Sequence, residues 1–152
     1  MIFVITNNVA IQMTGQVNNR TFLQLIKASA LIDQRTKKLL KPEGITQSQF
    51  HILRILTENN PLPCQPKDIK ENLIISSPDV TRILDRMVKK GWIDRQTSVS
   101  NRRQVDVFIN EVGSNLYEKI NKVLQSDIEI YLSEKMTQEE VNQLIHIANK
   151  IT

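Results

Sequence analysis

The segment between residues 76 and 109 constrains the fold more than any other part of the sequence. Ser76-Ser77-Pro78-Asp79 is a strong helix start, because serine suits the cap, proline the first position and an acid the first turn. Gly91 is a typical helix end. Between them, apolar residues recur at i, i+3, i+4, i+7 and i+8: Val80, Ile83, Leu84, Met87 and Val88. Two short β-like runs follow, from Trp92 to Gln96 and from Val105 to Ile109. We therefore predict a helix that packs one face on a core and continues into a β-hairpin.

Three further helices are predicted before this segment and two after it. The first runs from about Arg20 to Leu40, and Pro42 and Gly44 then break it. Thr46-Gln47-Ser48-Gln49 is a capping-box pattern for the second, while Pro66 suits the first turn of a short third. Asn110 caps a long helix, and Thr137-Gln138-Glu139-Glu140 resembles another capping box before the last. The expected fold is mainly α with one small β-hairpin.

The beginning of the sequence allows more than one interpretation. Met1 to Ile5 is apolar without preceding basic residues, so it fits a frayed tail, or a strand or arm that packs on a neighbour, better than a signal peptide. Met13 is a possible alternative start, with residues 1–12 as an upstream extension. Because no segment approaches the roughly 18 apolar residues that span a bilayer, no membrane partner is expected.

Composition excludes several classes of function. One Cys rules out a disulfide framework within the chain, and two His make a His-rich zinc centre improbable. The sequence has no Gly-rich phosphate loop and no patterned Ser/His/Asp set, and His51 and His146 lie among apolar neighbours. We therefore expect no enzyme, no cofactor and no metal.

The charge pattern favours a polyanionic partner for one part of the chain. The formal net charge of +4 divides into +4 for residues 1–64, +3 for residues 65–110 and −3 for residues 111–152. The acidic last third is expected to fold against itself or a partner, away from any polyanion. Its two helices carry much apolar surface for so small a chain, which a helical dimer interface would bury.

The second, third and fourth predicted helices and the hairpin that follows them have the arrangement of a winged helix-turn-helix. The fourth helix, about Ser77 to Lys90, would be a recognition helix that enters the major groove of DNA. Asp79 and Asp85 oppose its positive charge: we expect Asp85 to pair with basic side chains and Asp79 to favour the helix N-terminus. The candidate DNA-binding residues on this helix are Ser76, Ser77, Thr81, Arg82 and Arg86.

The loop of the hairpin carries the second group of candidates: Asn101, Arg102 and Arg103. In an extended segment the two adjacent arginines point to opposite sides. One could then enter the narrow minor groove while the other meets phosphate or protein.

With these motifs the chain resembles the MarR family, the multiple-antibiotic-resistance-type transcriptional regulators of bacteria and archaea, over about residues 20–150. The most specific stretch is VTRILDRMVKKGWIDR, from Val80 to Arg95; GITQSQF from Gly44, NRR from Asn101 and NEVG from Asn110 stand at family spacing. By position Arg103 looks like the wing residue that enters the minor groove. Asn101 stands where the family usually has an Asp that pairs with that arginine, and an Asn offers only a neutral hydrogen bond.

The resemblance implies a cytoplasmic homodimer that binds a palindromic double-stranded DNA operator, with a repressor expected and an activator left open. It implies an N-terminal arm and dimerisation helix (residues 1–45), a winged helix-turn-helix domain (46–110) and C-terminal dimerisation helices (111–152). A winged helix that contacts only other proteins is the alternative.

Two kinds of regulation are also open. The family often binds a small-molecule effector between its two parts, for which Phe22, Trp92 and Tyr117 are candidate pocket residues, although each also fits a core position. Cys64 lies near the start of the third helix, where it is either a redox-sensing thiol, which some members of the family use, or an inert one.

Overall fold

The computed structural model describes residues 3–74, 79–98 and 101–151, with side chains from residue 20 to residue 150 within these ranges. Its helices and strands are α1 (Phe3–Leu40), a 3₁₀ turn (Lys41–Glu43), α2 (Gln47–Asn59), α3 (Pro66–Glu71), α4 (Val80–Lys89), β1 (Ile93–Thr97), β2 (Val105–Ile109), α5 (Glu111–Ser133) and α6 (Gln138–Ile151). The predicted fold class, mainly α with one small hairpin, is confirmed. Within the described ranges, no helix combines the length and the apolar character needed to cross a membrane.

The first of two compact units consists of α1 up to Lys38. The helix begins at Phe3, so the prediction that it starts near Arg20 was wrong, and Phe3 to Ile5 form neither a frayed tail nor a strand. The physical reason is that no proline precedes Pro42, and the one glycine of this stretch, Gly15, weakens a helix without ending it. Met1 and Ile2 lie outside the described residues.

The second unit, residues 39–152, contains the hydrophobic core. The predicted capping box opens α2, because the Thr46 hydroxyl accepts a hydrogen bond from the Gln49 backbone N–H (3.3 Å) and the Gln49 side chain accepts one from the Thr46 N–H (3.1 Å). Pro66 opens α3 as predicted. The most deeply buried side chains of the unit lie on α2 and on the segments that surround it. They are Leu40, Ile52, Leu53, Leu56, Ile69, Leu84, Met87, Ile93 and Val107.

Helix α4 begins later than the sequence predicts. Asp79 is the N-cap, because its carboxylate accepts a hydrogen bond from the Arg82 backbone N–H (3.3 Å). Asp79 was expected in the first turn, but an aspartate is as good a cap as a serine. The predicted serine cap before Pro78, and Pro78 as the first helical position, lie outside the described residues. Gly91 ends the helix with a left-handed backbone (φ 69°), as predicted.

The hairpin is antiparallel, with Ile93 opposite Ile109 and Thr97 opposite Val105. The backbone of Cys64 extends it by two hydrogen bonds to Val107 (3.0 and 2.9 Å). Helix α5 then starts at the predicted Asn110 cap, whose side-chain oxygen accepts from the Gly113 N–H (3.0 Å).

Candidate nucleic-acid interface

One face of α4 is anchored in the core and the other is exposed. Val80, Leu84 and Met87 are buried and Ile83 is half-buried, whereas Val88, predicted in the same stripe, is 38% exposed. The outward face carries the predicted Thr81, Arg82 and Arg86, together with Asp85 and Lys89. The helix therefore presents polar and basic side chains on a fixed support.

The two aspartates of α4 each hold an arginine. The Arg82 side-chain Nε lies 3.0 Å from the Asp79 carboxylate, in a pair whose side chains are 78% and 45% exposed. Asp85 accepts a hydrogen bond from the guanidinium of Arg95 on β1, so the prediction that Asp85 pairs with a basic side chain is confirmed. Among the residues that the structure describes, Arg86 has no acidic partner within ion-pair distance.

The hairpin loop is held by the side chain of Asn101. The side-chain oxygen of Asn101 accepts a hydrogen bond from the Arg103 backbone N–H (3.0 Å). The backbone carbonyl of Asn101 accepts one from the Gln104 backbone N–H (2.8 Å). The predicted extended geometry was therefore wrong: Arg102 and Arg103 lie in a turn, where side chains do not alternate between two faces. Both arginines are exposed. Because an Asn oxygen accepts this backbone hydrogen bond as an Asp would, Asn101 shapes the turn without an ion pair.

Arg95 is the functional candidate that the sequence reasoning missed. One side-chain nitrogen binds Asp85, and another donates a hydrogen bond to the backbone carbonyl of Thr81 (3.1 Å). The predicted pairing of Asp85 was the available clue, but the partner lies ten residues away on another element. Only the folded arrangement of α4 against β1 identifies it.

The three candidate pocket residues differ in their surroundings. Phe22 is exposed on α1, and Trp92 is buried in the core, with the Lys90 ammonium 4.2 Å from its ring centre. Tyr117 is half-buried and stacks on Phe50 at 5.4 Å. The second unit instead has an apolar groove of about 550 Å³ between α5 and α6, whose lining includes Phe50, Leu124, Ile128, Leu132, Met136 and Val141.

Cys64 is enclosed, with 5% of its surface exposed. Burial raises the pKa of its thiol above the ordinary value, a hydrogen bond from the Asn59 amide (3.2 Å) partly opposes this, and the charge of Asp68 adds to the increase. The nearby Lys67 lies 3.9 Å from the Glu71 carboxylate. Burial, and then the charge of Arg54, lower the pKa of His51. The described ranges contain no cluster of His, Cys, Asp and Glu that could hold a metal ion.

Comparison with known proteins places this geometry in a family. The MarR family model matches residues 45–105. Multiple antibiotic resistance protein MarR of Escherichia coli (strain K12) is 28% identical over 120 residues, which cover 78% of this chain and 81% of that protein. Transcriptional repressor MprA of the same strain is 31% identical over 125 residues, or 81% of this chain and 69% of the relative.

A solved structure supports the same placement. Mutant MarR from E. coli complexed with operator DNA superposes with a TM-score of 0.70 at 26% identity, over 86% of this chain and 95% of that one. The buried stripe of α4, the exposed arginines and the hairpin agree with this similarity in sequence and fold. The chain therefore belongs to the MarR family of winged helix transcriptional regulators.

Proposed function

We propose that this regulator binds a palindromic DNA operator as a homodimer in the cytoplasm and represses transcription, without catalysis. One observation carries the proposal: α4 buries Val80, Leu84 and Met87 while it turns basic side chains outward beside a hairpin loop that carries two exposed arginines. The operator complex of the E. coli relative supports DNA as the partner.

Helix α4 would enter the major groove, with Thr81 and Arg82 nearest to the bases. Ser76 and Ser77, which precede it, remain proposed contacts to phosphate oxygens. Arg82 already pairs with Asp79. To contact a DNA base, the Arg82 guanidinium must leave the Asp79 carboxylate or bind it and the base at the same time. Arg86, one turn further along, is free of such competition in the described structure and suits a phosphate.

The wing would supply the second contact. Asn101 shapes the turn and thereby presents both arginines to solvent. We assign Arg103 to the minor groove, where the negative potential favours an inserted guanidinium, and Arg102 to the adjacent phosphates. A neutral amide at position 101 leaves the charge of Arg103 fully available to DNA.

The homodimer would form through the N-terminal (1–45) and C-terminal (111–152) regions, which flank the DNA-binding domain (46–110). In the isolated chain these helices expose many large apolar side chains, whose burial against a second copy would be favourable. They are Phe22, Leu23, Leu25, Ile26 and Leu31 on α1, Val112, Val123 and Ile130 on α5, and Leu144, Ile145 and Ile147 on α6. Two winged helices in one dimer would read half-sites about 10 bp apart.

A small-molecule effector fits the groove between α5 and α6 better than a site built from Phe22, Trp92 and Tyr117. The groove is apolar, whereas Trp92 is committed to the core and Tyr117 to its stack on Phe50. Redox sensing through Cys64 receives little support, because a buried thiol with a raised pKa forms little of the reactive thiolate.

Fluorescence anisotropy with labelled DNA from upstream of the gene tests the proposal. Arg82→Ala and Arg103→Ala should each weaken binding while light scattering still shows a dimer. Arg86→Ala and Arg102→Ala, which each remove a proposed contact to phosphate, should each reduce the magnitude of the slope of log K against log salt by about 0.9. The matched control is Lys135→Ala, which removes one exposed charge beyond the far end of α5, roughly 33 Å along the helix from its start.

Undiminished binding by both arginine variants would refute the assignment of the interface. The absence of any salt-sensitive binding to DNA would instead favour the alternative, a winged helix that contacts only proteins.

A further inference from the structure

The side chain of Arg95 joins the wing to the recognition helix at two points. It projects from β1, the first strand of the hairpin, and reaches both Asp85 and the backbone carbonyl of Thr81 (3.1 Å) on α4. The arginine side chain is 24% exposed, less than the 50% of Asp85, so the pair lies in the crevice between the two elements.

The two anchor points lie one helical turn apart. In an α-helix the carbonyl of Thr81 also accepts the backbone N–H of Asp85, so Arg95 grips both ends of a single hydrogen-bonded turn. One contact would leave the strand free to pivot about the helix, whereas two contacts made by a rigid planar guanidinium restrict that rotation.

We propose that Arg95 is a positioning residue that holds α4 and the wing in one relative orientation, so that a protomer contacts both grooves at a fixed spacing. The inference rests on the proposed DNA-binding function and adds a residue that does not touch DNA. Two of its nitrogens are occupied, and Asp85 neutralises its charge.

The fixed orientation matters because the two DNA contacts are linked. Once α4 is seated in the major groove, a wing held at the correct spacing binds without a further search. A loosened wing would lose this advantage at the operator. Sequence-independent attraction to phosphates would persist, because the exposed arginines stay in place.

A merely structural role predicts a different outcome. Exposed ion pairs contribute little to folding stability, typically less than about 1 kcal/mol. If Arg95 mattered only for the fold, its removal would lower the free energy of unfolding. Any loss of affinity would then be the same for the operator as for unrelated DNA.

The test uses the full-length protein with Arg95→Met, which keeps the aliphatic stem and removes the guanidinium. The matched control is Arg54→Met: Arg54 is 29% exposed and pairs with Glu58 (2.8 Å) on α2, so the change in charge and burial is similar but α4 and the wing are untouched. Affinity for the operator, affinity for unrelated duplex DNA, the salt slope and the urea midpoint are measured for each.

We expect Arg95→Met to weaken operator binding about tenfold, within the range of coupling between contacting residues. Binding of unrelated duplex should change by less than about threefold, and the salt slope should be that of wild type. Arg54→Met should change neither affinity. Asp85→Asn should weaken operator binding in the same direction, and it should add little when combined with Arg95→Met, because both changes break one contact.

If Arg95→Met lowers both affinities together with the salt slope, Arg95 binds phosphate directly and the inference is wrong. It is also wrong if this variant binds the operator normally while Arg82→Ala and Arg103→Ala do not. If none of the three arginine substitutions affects binding, the assignment of the interface fails; if the wild-type protein shows no salt-sensitive binding to DNA, the proposed function itself fails. Should Arg95→Met not fold, Arg95→Lys, which keeps the charge but cannot reach both anchors with a planar fork, must still weaken operator binding selectively.

Discussion

Gly113 is the position where the smallest substitution should have a large effect on stability. It lies in the first turn of α5, packed against the backbone of Trp92, which follows α4. A methyl group at this position would lie 3.1 Å from the Ile109 side chain and 3.0 Å from the Trp92 carbonyl carbon. It would lie closer still to the Trp92 carbonyl oxygen, well inside the distance that real Cβ atoms tolerate. Because that neighbour is backbone, no rotamer change relieves the clash.

The magnitude of the effect of Gly113→Ala follows from three contributions. Forcing a methyl group into a packed site costs about 1–3 kcal/mol. Separating α5 from the end of α4 would also weaken the hydrogen bonds that Asn110 donates to the Trp92 carbonyl (3.4 Å) and the Gly91 carbonyl (3.1 Å), worth about 1 kcal/mol each. Alanine returns about 1 kcal/mol through its higher helix propensity. We expect a net loss of about 2–4 kcal/mol in the free energy of unfolding.

Urea unfolding followed by circular dichroism measures this loss in the free energy of unfolding. All variants are compared at one protein concentration, because the stability of a dimer depends on concentration. Two variants serve as controls. Gly91→Ala adds a methyl group in open space at a φ of 69°, so it isolates backbone strain, worth about 1–2 kcal/mol. Asn115→Ala changes an exposed polar neighbour on the same helical turn and should be nearly neutral. A Gly113→Ala protein as stable as wild type, or more stable than Gly91→Ala, would refute this account of the packing.

Three further predictions concern the caps and the thiol. Thr46→Ala should cost about 1 kcal/mol in urea unfolding because it removes half of the capping box of α2, whereas Thr46→Ser should retain most of it. Hydrogen bonds from the backbone N–H and the hydroxyl of Thr137 lower the pKa of Glu140 in the folded protein. The ionised carboxylate therefore stabilises the folded state at pH values above the pKa that Glu140 has in the unfolded chain. This stabilisation is lost as the pH falls through the lower pKa of the folded protein. Thr137→Ala removes the hydroxyl but keeps the N–H, so an NMR titration should show the pKa moving part of the way back. The Cys64 thiol should react slowly with a disulfide reagent in the native protein and rapidly in urea, because burial both hides it and raises its pKa; equal rates would contradict the enclosed position.

The elements that the sequence predicted well are those with local determinants. The capping box at Thr46, the proline that opens α3 and the glycine after α4 each act within four residues of the chain. The start of α4 was harder, because good cap residues occur both directly before Pro78 and at position 79, and local rules do not rank them. The length of α1 was underestimated because its apolar pattern becomes clear only after Arg20, although no proline before it interrupts a helix.

Contacts between distant parts of the chain were not predictable in the same way. Arg95 was part of the stretch that resembles the family, yet nothing in its neighbourhood indicated that it reaches Thr81 and Asp85. Gly113 belongs to the NEVG stretch that resembles the family, yet nothing near it in the sequence indicated that a side chain would not fit there, because that requirement comes from the backbone of Trp92. Both roles depend on how α4 packs against the elements that follow it.

The ion pairs of α4 also change the meaning of the net charge of residues 65–110. A charge of +3 is modest for a protein that binds a polyanion. The aspartates of α4 are not spread over its face, however: Asp79 holds Arg82 and Asp85 holds Arg95. Arg86, Lys89 and the two wing arginines are left to act on DNA, so few phosphates would be neutralised by each protomer. Affinity for the operator would then depend on the correct spacing of a few contacts. Under our proposal, Arg95 fixes this spacing by holding α4 and the wing in one relative orientation.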